Sequence, residues 1–184
     1  LAYEIAVPSR YGNSMFKALM DAGSEFNVVA YGTEALSVMR IEKGHAAGNE
    51  LNGQITAQNL GLEKMMSKKK DFVGNVLSRR SELNKESIVK LVGFKPVNKE
   101  IELKAGAHFI SLGKEACTKN DEGWMSSVAF SPSLNHSIGL GFIKNGNNRI
   151  GEIVNAVDPL RKSNIEVEIV SPHFLDPEGE RLRE

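Results

Sequence analysis

Six short apolar segments in the second half of the chain restrict its fold to a small all-antiparallel domain. Apolar and polar residues alternate within them, as a half-buried strand requires. Clusters of turn-forming residues such as Lys144–Asn148 separate them. Strands at this spacing predict a small antiparallel barrel or sandwich. The predicted strands are Ile88–Phe94, Ile101–Leu103, His108–Leu112, Trp124–Phe130, Ile138–Ile143 and Ile165–Ile169.

The first part of the chain mixes strand and helix patterns. Leu1–Val7 alternates like a strand, and Met15–Gly23 has apolar residues at helical spacing. Phe26–Val29 is a short apolar run, and Thr33–Gly44 begins with an N-cap residue and predicts a second helix. This order predicts an α+β fold with helices packed on a sheet. We predict two domains, 1–84 and 85–184, the first of which begins upstream of Leu1.

Composition excludes several classes of protein. The 184 residues contain 23 basic and 23 acidic side chains, and 41% are apolar. A chain with zero formal net charge has no global attraction to nucleic acid or to an anionic membrane. No apolar run reaches the ~20 residues that cross a bilayer. With Cys117 as its single cysteine, we expect a soluble cytoplasmic protein without an internal disulfide.

One stretch of this neutral chain is locally basic. Residues 63–104 contain eleven Lys and Arg against six Asp and Glu, including the run Lys68–Lys70. A solvated face is the favoured interpretation, and a site for a polyanion is the alternative.

Common catalytic signatures are missing. Gly139–Gly141 lacks the third glycine of a dinucleotide fingerprint, and no glycine loop ends in Lys-Ser or Lys-Thr. Nothing near Cys117 indicates an activated thiol. No metal site is predicted, because the histidines are scattered without ligand spacing. They are His45, His108, His136 and His173.

Three other side chains have more than one interpretation. Glu4 lies on the small-residue face of the first predicted strand, where it is a solvent-facing filler or the floor of a pocket, and composition favours the filler. Arg40 and Glu42 are predicted to form an ion pair at a helix end. Trp124 packs in the barrel or faces a partner.

Several short motifs, in order and spacing, resemble the folate-binding aminomethyltransferase family, which includes the glycine-cleavage T-protein. The amino-acid sequences of these motifs are most similar to the branch formed by the alpha subunits of heterotetrameric sarcosine oxidases. The motifs are Tyr3–Pro8, Tyr31–Leu36, Met39–Gly44, Gly61-Leu62, Ser67–Gly74, Ser126-Ser127, Phe130–Leu134, Ser137–Leu140 and Asp176–Gly179.

This resemblance implies a fold and a function. The fold is part of a ferredoxin-like folate-binding domain followed by an antiparallel barrel. In the sarcosine oxidase branch, a beta subunit oxidises sarcosine at a flavin, and the one-carbon group passes to tetrahydrofolate to form 5,10-methylenetetrahydrofolate. The implied partners are the beta and other subunits, with flavin and NAD bound elsewhere in the complex.

Transfer of residue roles from the family is limited. Glu4 aligns with the glutamate that recognises the pterin, which reverses the filler interpretation. Leu36 stands where the T-protein has a folate-binding arginine. The C-terminal tyrosine of the T-protein has no counterpart in this chain. The family's catalytic aspartate lies upstream, so no catalytic residue is expected in this chain. A T-protein-like aminomethyltransferase and a non-catalytic module remain alternatives.

Overall fold

The structure is a computed structural model that describes residues 3–85 and 87–183. Its backbone divides into two compact units, residues 1–33 and 34–184. The predicted division of the chain between residues 84 and 85 stays a prediction.

The first unit contains one long helix. Helix α1 spans Gly12–Gly23, between 3-10 turns at Ser9–Tyr11 and Ser24–Phe26. It confirms the helix predicted from apolar spacing. Asn27 follows in the left-handed region at φ 54°, which ends the helical path.

Two strands predicted in the first unit are wrong. Leu1 and Ala2 lie outside the described residues, and residues 3–7 form no strand. Phe26 ends a 3-10 turn, and residues 27–29 form no strand either. An alternating pattern forms a strand only where a neighbouring strand takes up its backbone hydrogen bonds, and none does so among the described residues.

A helix and a long irregular connection precede the barrel in the chain. Helix α2 spans Thr33–Glu42, and the single-turn helix α3 spans Asn75–Ser78. None of the helices in residues 3–85 and 87–183 is long and apolar enough to cross a membrane. The remaining 3-10 turns are Gly48–Glu50, Glu63–Met65, Ser81–Asn84, Thr118–Asn120, Gly146–Asn148 and Glu180–Leu182.

Six antiparallel strands form a closed barrel in the order β1-β4-β3-β2-β5-β6. Closure comes from β6 pairing with β1, with Phe94 opposite Ile169. Closure leaves no free sheet edge. The strands are β1 Val89–Pro96, β2 His108–Ser111, β3 Asp121–Ser131, β4 His136–Lys144, β5 Ile153–Asp158 and β6 Ser163–Val170.

Five of the six predicted barrel segments are strands, and the barrel prediction is confirmed. Ile101–Leu103 is the exception, because the Leu103 backbone N–H donates to the Ser137 hydroxyl at 3.1 Å rather than to a ladder. Strand β5 was not predicted. Its buried positions Val154, Ala156 and Asp158 include a small residue and a carboxylate, which weakens the apolar alternation.

Strand β4 is buried on both faces. Its large side chains Ile138, Leu140 and Phe142 pack outward against the segment that follows α2. Towards the interior it presents Gly139 and Gly141, where a Cβ would meet Met125 and Phe94. The interior itself is filled by apolar side chains, including the stacked rings of Phe94 and Phe109. The barrel is therefore a packed core.

We predict that Gly123→Ala destabilises the barrel. Gly123 has φ 154° in β3, and a Cβ there would lie 1.9 Å from the backbone oxygen of Phe142, which cannot move without breaking the β3–β4 ladder. The free energy of unfolding, measured by urea titration, should fall by roughly 1–3 kcal/mol. Gly53→Ala is the control, because no atom lies within 4 Å of its Cβ. Equal stability of both variants would contradict the prediction.

Candidate functional site

The carboxylate predicted to recognise a pterin lies in an extended segment ahead of α1. Glu4 is exposed, between the exposed side chains of Tyr3 and Ile5. Among the residues that the structure describes, none donates a hydrogen bond to Glu4. A carboxylate without a donor can accept from two adjacent N–H groups. Its role as a folate ligand stays a prediction.

The departures from the T-protein pattern are also at the surface. Leu36, which the resemblance aligns with a folate-binding arginine, lies on α2 and is half exposed. Tyr11 and Tyr31 are exposed as well. All three tyrosines of the chain precede residue 32, so none stands in the C-terminal barrel.

A β-bulge on β3 creates a polar site that the sequence did not predict. Met125 pairs with Gly141 and Ser127 pairs with Leu140, so Ser126 is an extra residue in the ladder. Both hydroxyls, Ser126 Oγ and Ser127 Oγ, consequently donate to one carboxylate oxygen, Oε1 of Glu50. The freed backbone oxygen of Ser126 accepts from the amide of Asn49 at 3.1 Å.

Glu50 is the centre of this site and is fully buried. Burial alone raises the pKa of a carboxyl group, but the hydroxyls of Ser126 and Ser127, the Ala47 N–H and the Arg40 guanidinium outweigh it. The pKa of Glu50 therefore lies below its ordinary value. Arg40 contacts Oε2 at 2.9 Å and also donates to Ser127 Oγ at 2.7 Å. The buried charge is fully compensated.

The predicted Arg40–Glu42 ion pair is wrong, because the helix directs the two side chains to different partners. Glu42 Oε1 accepts from the Ser131 hydroxyl at 2.5 Å. Its backbone oxygen accepts from the N–H groups of Phe174 and Leu175 at 2.9 and 3.0 Å. Residues two apart on a helix do not face each other, so the spacing itself argued against the pair.

Lys43 extends the same line of contacts. Its ammonium donates to a carboxylate oxygen of Asp176 at 2.9 Å, and its backbone oxygen contacts His173 Nδ1 at 2.9 Å. Residues 40–50 are therefore tied to β3 and to the segment after β6 by charged and polar contacts. This arrangement holds two parts of the chain together.

The remaining candidate side chains are separate from this site. Trp124 is half-buried against Phe142, with ring centroids 5.3 Å apart, on the outer face of the barrel. Cys117 is exposed beside a cavity of about 290 Å³ that His108 and Asp121 also line. Within residues 3–85 and 87–183, no group of three His, Cys, Asp or Glu side chains could hold a metal ion.

Comparison with known families agrees with this architecture. The family model described as "GCVT N-terminal domain" matches residues 1–70. The model described as "Glycine cleavage T-protein C-terminal barrel domain" matches residues 90–176. The solved aminomethyltransferase T of the glycine cleavage system from Bartonella henselae superposes with a TM-score of 0.74 at 21% identity. That match covers 93% of this chain and 45% of the other. The α+β, T-protein-like fold class is thus confirmed.

Sequence relatives define the family. The sarcosine oxidase alpha subunit of Rhizobium meliloti (strain 1021) is 42% identical over 183 residues, which are 99% of this chain and 18% of that protein. The alpha subunit of Corynebacterium sp. (strain P-1) is 40% identical over 98% of this chain and 19% of that protein. An aminomethyltransferase of Desulfitobacterium hafniense (strain DSM 10664 / DCB-2) is 30% identical over 96% of this chain and 46% of its own length.

These matches identify the class as an aminomethyltransferase-type protein with a T-protein barrel. The chain belongs to the folate-binding aminomethyltransferase (glycine-cleavage T-protein) family, whose relatives named above are enzymes or enzyme subunits. It spans less than a fifth of the sarcosine oxidase alpha subunits and about half of the aminomethyltransferases that it matches.

We predict that Glu50→Gln lowers stability at pH 7 by about 3 kcal/mol, because it leaves Arg40 next to an uncharged group in a buried site. The pKa of Glu50 is below 4.5 in the folded chain, so its contribution is complete above pH 4.5 and is lost as the pH falls through the lowered value. The stability difference between wild type and variant should therefore shrink in acid.

Urea titrations of both proteins from pH 7 to pH 3.5 measure this difference. Subtraction is needed because other carboxylates also have lowered pKa values. Glu82→Gln, at an exposed Lys85 pair, is the control and should cost less than about 1 kcal/mol. A stability difference between wild type and Glu50→Gln that is small, or that does not change with pH, would contradict the stabilising role of the Glu50 carboxylate. The carboxylates whose lowered pKa values make the subtraction necessary are Glu63, Glu122, Glu152, Asp158 and Asp176.

Proposed function

We propose that this chain is the folate-binding region of a sarcosine oxidase alpha-type polypeptide, which supports one-carbon transfer to tetrahydrofolate. The observation that carries the proposal is the 42% identity to a sarcosine oxidase alpha subunit across 99% of the chain. Matches to both T-protein domain descriptions support it, since they span residues 1–70 and 90–176.

Glu4 is the residue that we propose to bind the pterin. A pterin presents a ring N–H and an exocyclic amino group side by side, and a carboxylate accepts both at once. Glu4 is exposed and has no hydrogen-bond donor among the described residues. Exposed Tyr3 and Ile5 beside it provide apolar surface for a planar ring. The residues present therefore fit the pterin end of folate.

In the proposed reaction, tetrahydrofolate is the acceptor whose two amines take the one-carbon unit released when sarcosine is oxidised. This chain would hold and orient the acceptor, which lowers the entropic barrier to transfer. Sarcosine oxidation itself belongs to the beta subunit, and flavin and NAD to other parts of the complex. The product is 5,10-methylenetetrahydrofolate, or formaldehyde without folate.

A glycine-cleavage aminomethyltransferase is the second candidate, favoured by the TM-score of 0.74 to such a protein. Leu36 argues against it, because an aliphatic side chain cannot replace a folate-binding arginine. The absence of a tyrosine after Tyr31 argues in the same direction. The third candidate is a non-catalytic member of the family that has lost folate binding.

We predict that Glu4→Ala weakens the binding of reduced folate to this chain by about tenfold to a hundredfold, since a charged acceptor with two donors is lost. Isothermal titration calorimetry with 5-formyltetrahydrofolate measures the dissociation constant. Glu25→Gln, an exposed acid in the same unit, is the control and should bind as wild type does. Binding that is unchanged in Glu4→Ala would contradict the role of Glu4.

We also predict that the 184 residues alone do not turn over, because the family's catalytic aspartate is expected outside them. Incubation with sarcosine and tetrahydrofolate, followed by chromatography for 5,10-methylenetetrahydrofolate, should detect none above a protein-free control. Product formation by the isolated chain would overturn this prediction.

A further inference from the structure

The dipeptide Asn-Gly occurs twice in the chain, as Asn52-Gly53 and as Asn145-Gly146. It is the least hindered sequence for attack of a backbone nitrogen on the preceding side-chain amide, because glycine has no Cβ beside that nitrogen. The attack closes a five-membered ring and releases ammonia. Its rate depends on the exposure of the nitrogen and on the groups around the amide, and these differ between the two copies.

The nitrogen of Gly53 is accessible. Asn52-Gly53 lies in the loop after the 3-10 turn Gly48–Glu50, and both residues are exposed. No atom lies within 4 Å of the position that a Cβ of Gly53 would take. Among the residues that the structure describes, none accepts a hydrogen bond from the Gly53 N–H. The attacking nitrogen is therefore open to water and hydroxide.

The side-chain amide of Asn52 is held in place by two hydrogen bonds. Its oxygen Oδ1 accepts from the Gln54 N–H at 2.9 Å, and its nitrogen Nδ2 donates to the Asn49 backbone oxygen at 3.2 Å. Attack at Cγ transfers negative charge to Oδ1, so the Gln54 N–H lies where that charge develops and stabilises it. A fixed amide also lowers the entropic cost of closing the ring.

Asn145-Gly146 lacks these features. Gly146 is buried, and a Cβ there would lie 2.8 Å from Val92, so hydroxide has little access to its nitrogen. Asn145 is held at φ 56°, with its N–H donating to Ile88 at 3.3 Å and its backbone oxygen accepting from Asn148 at 2.9 Å. No N–H of a described residue donates to its side-chain oxygen. The second copy is therefore an internal control.

We propose that Asn52 is a site of spontaneous modification, which converts its amide through a cyclic imide to isoaspartate and aspartate. Hydroxide removes the proton of the Gly53 nitrogen, and this nitrogen bonds to Cγ of Asn52. The Cγ–Nδ2 bond breaks, and ammonia leaves with a proton from water. Water then opens the ring. Opening at the backbone carbonyl carbon gives isoaspartate, whose chain continues through Cγ, and opening at Cγ gives aspartate.

The modification acts on the loop that holds Glu50. Asn52 Nδ2 donates to the backbone oxygen of Asn49, whose own amide donates to the Ser126 backbone oxygen at 3.1 Å. Modification replaces this donor by a charged oxygen, and isoaspartate also adds one carbon atom to the backbone. Both changes weaken the contact of the loop with the β3 bulge, so the modified chain should be less stable. The inference does not depend on Glu4 or on folate.

Incubation of the purified chain at pH 8 and 37 °C, followed by peptide mapping with mass spectrometry, measures the modification of both copies. We expect the mass gain of an amide-to-acid conversion at Asn52, with labelling by an isoaspartyl carboxyl methyltransferase. The rate at Asn145 should be lower by about tenfold or more, since a buried nitrogen in a fixed turn cannot reach the attacking geometry.

The decisive variant is Gly53→Ala, which should slow the modification of Asn52 by about tenfold, because a methyl group crowds the attacking nitrogen. Space at Gly53 is open, so the fresh variant should keep the urea midpoint of wild type. After incubation the midpoint should fall for wild type and not for Gly53→Ala. Asn52→Asp should also have a lower midpoint than Asn147→Asp, which makes the same charge change at another exposed asparagine.

Three outcomes would overturn the proposed site: Asn52 keeps its amide, Asn145 is modified at the same rate, or Gly53→Ala is modified as fast as wild type. A urea midpoint of wild type that does not change on incubation would overturn the effect on stability. These measurements contain no folate, so their failure is distinct from failure of the Glu4 experiment.

Discussion

The buried carboxylate of Glu50 is the interaction on which the second unit depends. An ionised group with no solvent access is stable only when charge and hydrogen bonds compensate its lost hydration. Arg40, the two hydroxyls of the β3 bulge and a backbone N–H provide this compensation. The end of α2, the following loop and the barrel wall are therefore one cooperative structure.

The burial of both faces of β4 also ties the barrel to the residues after α2. A strand with apolar side chains outside and glycines inside needs a covering layer, and the residues after α2 provide it. Since the interior is filled by side chains such as Phe94 and Phe109, the barrel has no room for a folate-sized ligand. A ligand of that size would have to bind outside the barrel interior.

Much of the fold could be predicted, but little of the site. Strong alternation identified five barrel strands, and helical spacing identified α1 and α2. The pattern failed where partners decide the outcome: residues 3–7 alternate without a neighbouring strand, and β5 pairs without a strongly alternating pattern. Glu50 was missed because its loop is rich in Gly, Asn and Gln, with no local sign that a serine pair 76 residues away would surround it.

The sequence by itself determined the elements whose signal is local: a period-two barrel, amphipathic helices and the turns between them. Its motifs also determined the family. Tertiary structure alone decided which charges meet, because Arg40 turns to Glu50 rather than Glu42, and because one inserted residue in β3 brings Ser126 and Ser127 to the same oxygen. Such contacts depend on strand register and on chain segments distant in sequence, which local residue spacing does not encode.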